Sequence, residues 1–151
     1  MLIVADSSPL VLPVLFSEVL VPPQVAEELS HVNAPEKVRR FIAHPPEWLA
    51  IRSPKQVEEL PRLDLGECAA ISLACELRAD FLLIDERLGR QAAAARDLVV
   101  IGTVGVLERA ADEGLLNLRM AFEALRQTRF HVSDKLLDES LLRHERKRPS
   151  A

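Results

Sequence analysis

Residues 81–87 read Phe-Leu-Leu-Ile-Asp-Glu-Arg, FLLIDER, and this stretch decides the fold. Four consecutive apolar residues, with no polar alternation, stop on a carboxylate. A strand with one wet face alternates. An unbroken run fits a strand buried on both faces, as in a parallel sheet. The chain begins with the same device, Leu2-Ile3-Val4-Ala5-Asp6. Similar runs recur at 19–21 (VLV), 48–51 (WLAI) and 98–101 (LVVI).

Amphipathic segments lie between these runs. Pro23 to Ser30 and Pro35 to Ala43 each open on a proline, which suits a first helical turn. Leu65 to Arg78 is the clearest helix, with a compact face of Cys68, Ala69, Ile71, Ser72, Cys75 and Leu77. Glu86 to Arg96 is rich in alanine, and Thr103 reads as the cap of a helix that ends before Gly114. Strand alternating with helix over roughly the first 115 residues predicts an α/β fold. The expected form is a three-layer α/β/α sandwich with a mostly parallel central sheet. Helices over 117–128 and 133–146 follow as C-terminal additions, and residues 147–151 read as a frayed tail. No repeat, low-complexity tract or linker divides the chain, so residues 1–151 are expected to form a single domain.

Composition narrows the classes. With 48% hydrophobic residues among 151, the chain can build a real core, and disorder is not expected. No apolar run approaches the roughly 20 residues needed to cross a bilayer. The first residues lack the basic segment and small-residue cleavage site of a signal peptide, so a cytoplasmic location without a membrane partner is expected. Cys68 and Cys75 are seven residues apart. That is about 10 Å along a helix, too far for a disulfide, so they read as two buried thiols. His31, His44, His131 and His144 form no metal-binding pair, which argues against zinc. A net charge of −4 and a pI of about 5.6 make no global case for nucleic-acid binding, although the distribution of charge matters more than its sum.

The carboxylates carry the chemistry. In an open parallel sheet, ligands bind beyond the carboxyl ends of the strands. Asp6 and Asp85 each follow a strand directly, so neighbouring strands would bring both to one point. An aspartate there can equally be a plain helix cap. Asp64 and Glu67 have the spacing of a capping box, with Asp in place of Ser or Thr. Gly66 in the first helical turn costs about 1 kcal/mol against alanine, and its missing side chain leaves room next to Glu67. Glu28, on an early helix, is the weakest candidate by chemistry alone. Crowded carboxylates stay ionised together only with cations to compensate them. Oxygen ligands without His or Cys suit Mg²⁺ or Mn²⁺, and such sites activate water against a phosphodiester.

Basic residues are fewer. Arg87 and Arg90 follow Asp85 and could face phosphates, or be ordinary solvated helix residues. Arg143, Arg146, Lys147 and Arg148 read as a solvated C-terminus that could touch RNA or an acidic partner. With no tyrosine and a single tryptophan, Trp48, the chain offers no aromatic platform for stacking bases.

Taken in order, four motifs resemble the PIN-domain family, and within it the VapC-like toxin branch. They are Val4-Ala5-Asp6-Ser7-Ser8-Pro9-Leu10, Val21-Pro22-Pro23-Gln24-Val25-Ala26-Glu27-Glu28-Leu29, Gly66-Glu67-Cys68-Ala69-Ala70-Ile71 and Leu82-Leu83-Ile84-Asp85-Glu86-Arg87. The similarity continues through Val100 to Leu107 and Phe130 to Asp134, and so covers nearly the whole chain. The resemblance implies a PIN-like fold and an endoribonuclease dependent on Mg²⁺ or Mn²⁺. It implies a catalytic set of Asp6, Glu28, Glu67 and Asp85, with Asp6, Glu67 and Asp85 binding the metal most directly. Ser8 matches a hydroxyl that orients the first aspartate, and Glu86 stands near a variable fifth acidic position. An RNA substrate, a cognate antitoxin and a homodimer are implied as partners.

One departure is visible. Only 12 residues, Ser7 to Glu18, separate the first two strands, where relatives carry a longer helical segment. That is near the minimum of about 10–12 for a crossover, and Pro13 would interrupt a helix within it. The main alternative is a catalytically silent PIN fold that binds RNA or protein. A phosphoryl-receiver domain fits less well, because Asp6 is single and Gly102 follows the last strand. A haloacid-dehalogenase-like phosphatase needs a second aspartate where Ser8 stands.

Overall fold

Every strand pairing is parallel, as the unbroken apolar runs require. A computed structural model describes residues 2–5, 16–127 and 132–148, and divides the chain into the units Met1–Gly102 and Thr103–Ala151. The first unit runs β1 (Leu2–Ala5), β2 (Glu18–Val21), α1 (Pro23–Leu29), α2 (Glu36–Ala43), β3 (Leu49–Ile51), α3 (Leu65–Leu77), β4 (Phe81–Leu83), α4 (Arg87–Ala94) and β5 (Val100–Ile101). The fold of this unit is α/β. Its sheet has the order β3-β2-β1-β4-β5. The chain therefore steps outward from β1 to β2 to β3, then crosses back to lay β4 on the other side of β1.

That reversal places the site. Where strand order reverses in a parallel sheet, a crevice opens beyond the carboxyl ends of the two strands concerned. Here they are β1 and β4, and Ala5 stands opposite Leu83. Both strands thus end at one level of the same edge. Asp85 leaves β4 there through Ile84. Asp6 follows Ala5 in sequence but lies outside the described residues, as do Ser8 and the short segment around Pro13.

The core forms where α3 meets the sheet. Its residues are buried from Gly66 through Ile71 and again at Leu73 and Ala74. Small side chains along this helix permit close approach, and Leu20, Leu82, Ile84 and Ala93 join Ala70, Ile71, Leu73 and Ala74 in one apolar cluster. Arg78, in the left-handed region at φ 49°, ends the helix. Phe16 stacks edge-on against Phe81 with ring centres 5.5 Å apart.

The sheet edges depart from the reading of uniformly buried runs. In β3, Ala50 and Ile51 are exposed, and β5 is half-buried, because an edge strand has a neighbour on one side only. Trp48 lies in the turn before β3, its ring 5.8 Å from that of Phe41. Cys68 is buried, whereas Cys75 is exposed, a correction to the expectation of two buried thiols.

The second unit holds α5 (Thr103–Asp112), α6 (Leu118–Arg126) and α7 (Asp134–Lys147). Asn117 caps α6 and Ser133 caps α7, each accepting from a backbone N–H in the first turn. Acids one turn apart on α5 meet polar groups one turn apart on α7. Glu108 accepts from the buried Ser140 hydroxyl at 2.5 Å and from Arg143 at 2.7 Å. Asp112 pairs with His144 and Lys147, both at 2.8 Å, and Arg148 donates to the Ala111 carbonyl. Arg143, Lys147 and Arg148, expected to be a solvated end, are exposed and also bond to α5, and the helix reaches Lys147. Among the described residues no helix is long and apolar enough to cross a membrane.

The clamp is testable by acid. The Asp112 carboxyl is held below its ordinary value, first by the hydrogen bond from Lys147 and then by that from His144. A depressed folded value gives stability that is present above the unfolded value, about 3.9, and lost as pH falls through the folded one. Wild type is expected to exceed Asp112→Asn by about 0.5–1 kcal/mol at pH 6. The two should converge below about pH 3. Urea titrations across that range check it, and equal stability at pH 6 refutes the clamp.

Candidate active site

Asp64 precedes α3 in extended conformation and caps it. Its Oδ1 accepts the Glu67 N–H at 2.8 Å, and Glu67 Oε2 accepts the Asp64 N–H at 3.0 Å. The capping box therefore forms with aspartate in the leading position, and one oxygen of Glu67 is committed to it. The other, Oε1, lies 3.5 Å from the point where a side chain on Gly89 would begin. Glu67 is only 5% exposed. Burial pushes its carboxyl above the ordinary value; the Asp64 N–H opposes this, and the charges of Asp64 and Glu86 add to it.

Glu28 reaches the same place from α1, which packs on α3. Its Oε1 and Oε2 lie 2.7 and 2.9 Å from where a Cβ on Gly66 would stand. Gly66 thus makes room for Glu28, not for Glu67 as its sequence position suggests. Burial again leads in raising the Glu28 carboxyl, followed by Asp64; the Gly66 N–H opposes, and Glu67 and Glu27 add.

Asp85 stands half-buried after Ile84. Its Oδ1 lies 3.1 Å from the position of a Cβ on Gly102, and Arg90 Nη1 lies 2.6 Å from that same point. Arg90 comes from α4 and also donates to the Ile84 carbonyl at 3.3 Å. Its guanidinium is therefore folded back on the end of β4, beside Asp85. Glu86, the N-cap residue of α4, makes no side-chain cap bond, and Arg87 is exposed on the first turn.

Two glycines escaped the sequence reading. A Cβ on Gly89 would meet Ile84 Cδ1 at 2.5 Å, so glycine lets α4 lie close on the end of β4. Glycine inside an alanine-rich helix costs about 1 kcal/mol, and that cost was the available signal of a close approach. Gly102 is noticeable only once Asp85 and Arg90 are seen to share its vacant side-chain space.

The structure thus brings Glu28 and Glu67 together at the start of α3, sets Glu86 near enough to act on Glu67, and leaves Asp85 and Arg90 both bordering the vacant side-chain space of Gly102. The donors are all carboxylate oxygens, the kind that hard cations take. That chemistry fits a divalent cation, yet among the described residues no three acidic, histidine or cysteine side chains are gathered so as to hold one.

A family model described as PIN domain matches residues 2–146. No curated protein and no solved structure matches the chain.

Glu67 carries a stability consequence. A carboxyl raised above its unfolded value, about 4.3, penalises the folded state as pH climbs from the unfolded value through the folded one. Glu67→Gln keeps an acceptor for the Asp64 N–H and removes the charge. Without divalent cations it should be as stable as wild type or more so at pH 7, and lose that advantage at pH 4. Glu67→Ala should lose about 1 kcal/mol as a broken cap. Thermal melts of the three proteins at both pH values decide this, and a large loss in Glu67→Gln at pH 7 contradicts it.

Proposed function

This chain belongs to the PIN-domain family, whose members are nuclease-type folds, and from that premise we propose that it is an endoribonuclease dependent on Mg²⁺ or Mn²⁺. The observation that carries the reading is the pair Glu28 and Glu67, set together around Gly66, each with its carboxyl raised first by burial. A structural ion pair lowers a carboxyl; crowded acids of this kind are the environment of a group that meets a cation or a proton.

Asp6, Glu67 and Asp85 would hold the cation, with Glu28 completing the acidic set and Ser8 orienting Asp6. When bound, the metal would lower the pKa of a water and stabilise charge on the phosphoryl oxygens. Glu28, with its raised carboxyl, is suited to taking a proton from that water. Arg90, beside Asp85, and Arg87, exposed on the next helix, would meet phosphate oxygens; Glu86 would keep the local field negative. The resemblance of the ordered motifs supports a VapC-like toxin with a three-layer α/β/α arrangement. Such a protein would act on RNA in the cytoplasm as a homodimer and be silenced by a cognate antitoxin.

Cleavage of single-stranded RNA with Mg²⁺ or Mn²⁺ and with EDTA tests the reading. Wild type should cleave, EDTA should abolish cleavage, and Asp85→Asn, which removes a charged ligand of the cation, should reduce it strongly. Equal activity of wild type and Asp85→Asn would mark a contaminating nuclease. Metal-dependent stabilisation without cleavage would instead favour the silent binding module. Expression alone should slow growth unless the neighbouring gene is co-expressed, and sedimentation should show a dimer.

A further inference from the structure

Next to Glu28 a cavity of about 610 Å³ opens between α1 and the start of α3. Gln24, Glu27 and Glu28 of α1, His31 and Asn33 beyond it, and Leu65 of α3 line it. Nothing in the cleavage chemistry above uses Gln24, His31 or Leu65. We infer that this cavity seats a nucleobase of the RNA substrate, one bearing an exocyclic amino group, and that Gln24 reads that group.

Four features of the lining select this occupant. Gln24 Oε1 is buried and, among the described residues, has no hydrogen-bond partner. A buried acceptor left unpaired is costly, and Gln24 is one of the residues that line the cavity, so an occupant that brings an N–H to this side chain would relieve that cost. The carboxylates of Glu27 and Glu28 repel a phosphate, so the occupant is an uncharged part of the nucleic acid rather than its backbone. Leu65, 58% exposed, supplies an apolar surface for a flat ring. His31 adds a donor: the Asn33 N–H donates to its Nδ1 at 3.3 Å, which leaves Nε2 to carry the proton of the neutral ring. Donor and acceptor in one cavity match the edge of a base. A phosphodiester held at the proposed cleavage site, outside this cavity, would leave a flanking base to enter it. The inference rests on the nuclease reading for the identity of the polymer.

The test uses the full chain in Mg²⁺ with non-cleavable 2′-O-methyl hexanucleotides of cytidine, adenosine or uridine, and reads binding by fluorescence anisotropy. Cytosine presents an amino donor where uracil presents a carbonyl, at equal size. The cytidine and adenosine hexamers should bind about fivefold tighter than the uridine one, the worth of one hydrogen bond. Gln24→Met keeps the shape and removes the acceptor, and should bring all three together. Should that variant fail to fold, Leu65→Glu, at an exposed first-turn position, should weaken every hexamer. Equal binding of cytidine and uridine hexamers by wild type overturns the inference, as does a preference that survives Gln24→Met. Gln24-dependent binding of a hexalysine peptide, without binding of the hexamers, also overturns it and marks a protein groove. RNA cleavage without base preference leaves the nuclease reading standing and removes this one. Gln24-dependent preference without cleavage does the reverse.

Discussion

Everything at the candidate site depends on β1 being paired on both sides. A strand hydrogen-bonded to β2 and to β4 forces the chain to reverse its direction of progress across the sheet. Parallel pairing then brings two strand ends to one edge at one level, with nothing of the sheet to fill the space beyond them. Ala5 opposite Leu83 fixes that level to the residue. Asp85 is at the edge because β4 is beside β1, and α1 and α3 approach it because each follows or precedes a strand of the same sheet.

Once the edge exists, the limit becomes space. Carboxylates reach it from helices whose backbones come closer than ordinary side chains permit. Gly66 gives way to Glu28, Gly89 to Ile84, and Gly102 to Asp85 and Arg90. The vacant side-chain positions thus lie beside acids, Glu28 at Gly66, Glu67 near Gly89 and Asp85 at Gly102. Each glycine carries an entropic cost in the unfolded chain, and Gly66 and Gly89 cost helix propensity besides. Such costs are tolerated where they let charged groups stand side by side.

The two units use acids in opposite ways. On α5, Asp112 meets Lys147 and His144, and its carboxyl falls below the ordinary value. At the sheet edge, Glu67 is buried and Glu28, exposed on its helix, is partly desolvated beside other acids, and the carboxyls of both rise. The first arrangement holds helices together. The second stabilises nothing by itself, except through the single Glu67 oxygen that closes the capping box. That oxygen shows why a structural and a chemical role need not exclude each other: a carboxylate has two oxygens, and α3 uses one.

The amino-acid sequence by itself determined the five strands, the alternation with helices and the α/β class, because an apolar run without alternation needs burial on both faces. It also determined the capping box, since Asp64 and Glu67 interact over three residues of one helix and need no distant partner. Glu28 could not be distinguished locally: a glutamate near the end of a short helix looks solvated until Gly66, far along the chain, offers it a seat. The same holds for Arg90, whose place beside Asp85 depends on the space left at Gly102, and for the cavity wall of Gln24, His31 and Leu65. Cys75 and the half-exposed β3 and β5 were misread because burial depends on whether a neighbour lies beyond. Strand order decides that, and local hydrophobicity does not encode it. Pattern within an element is a local property of the chain; which two elements meet is a property of the sheet, and only the tertiary structure decided it.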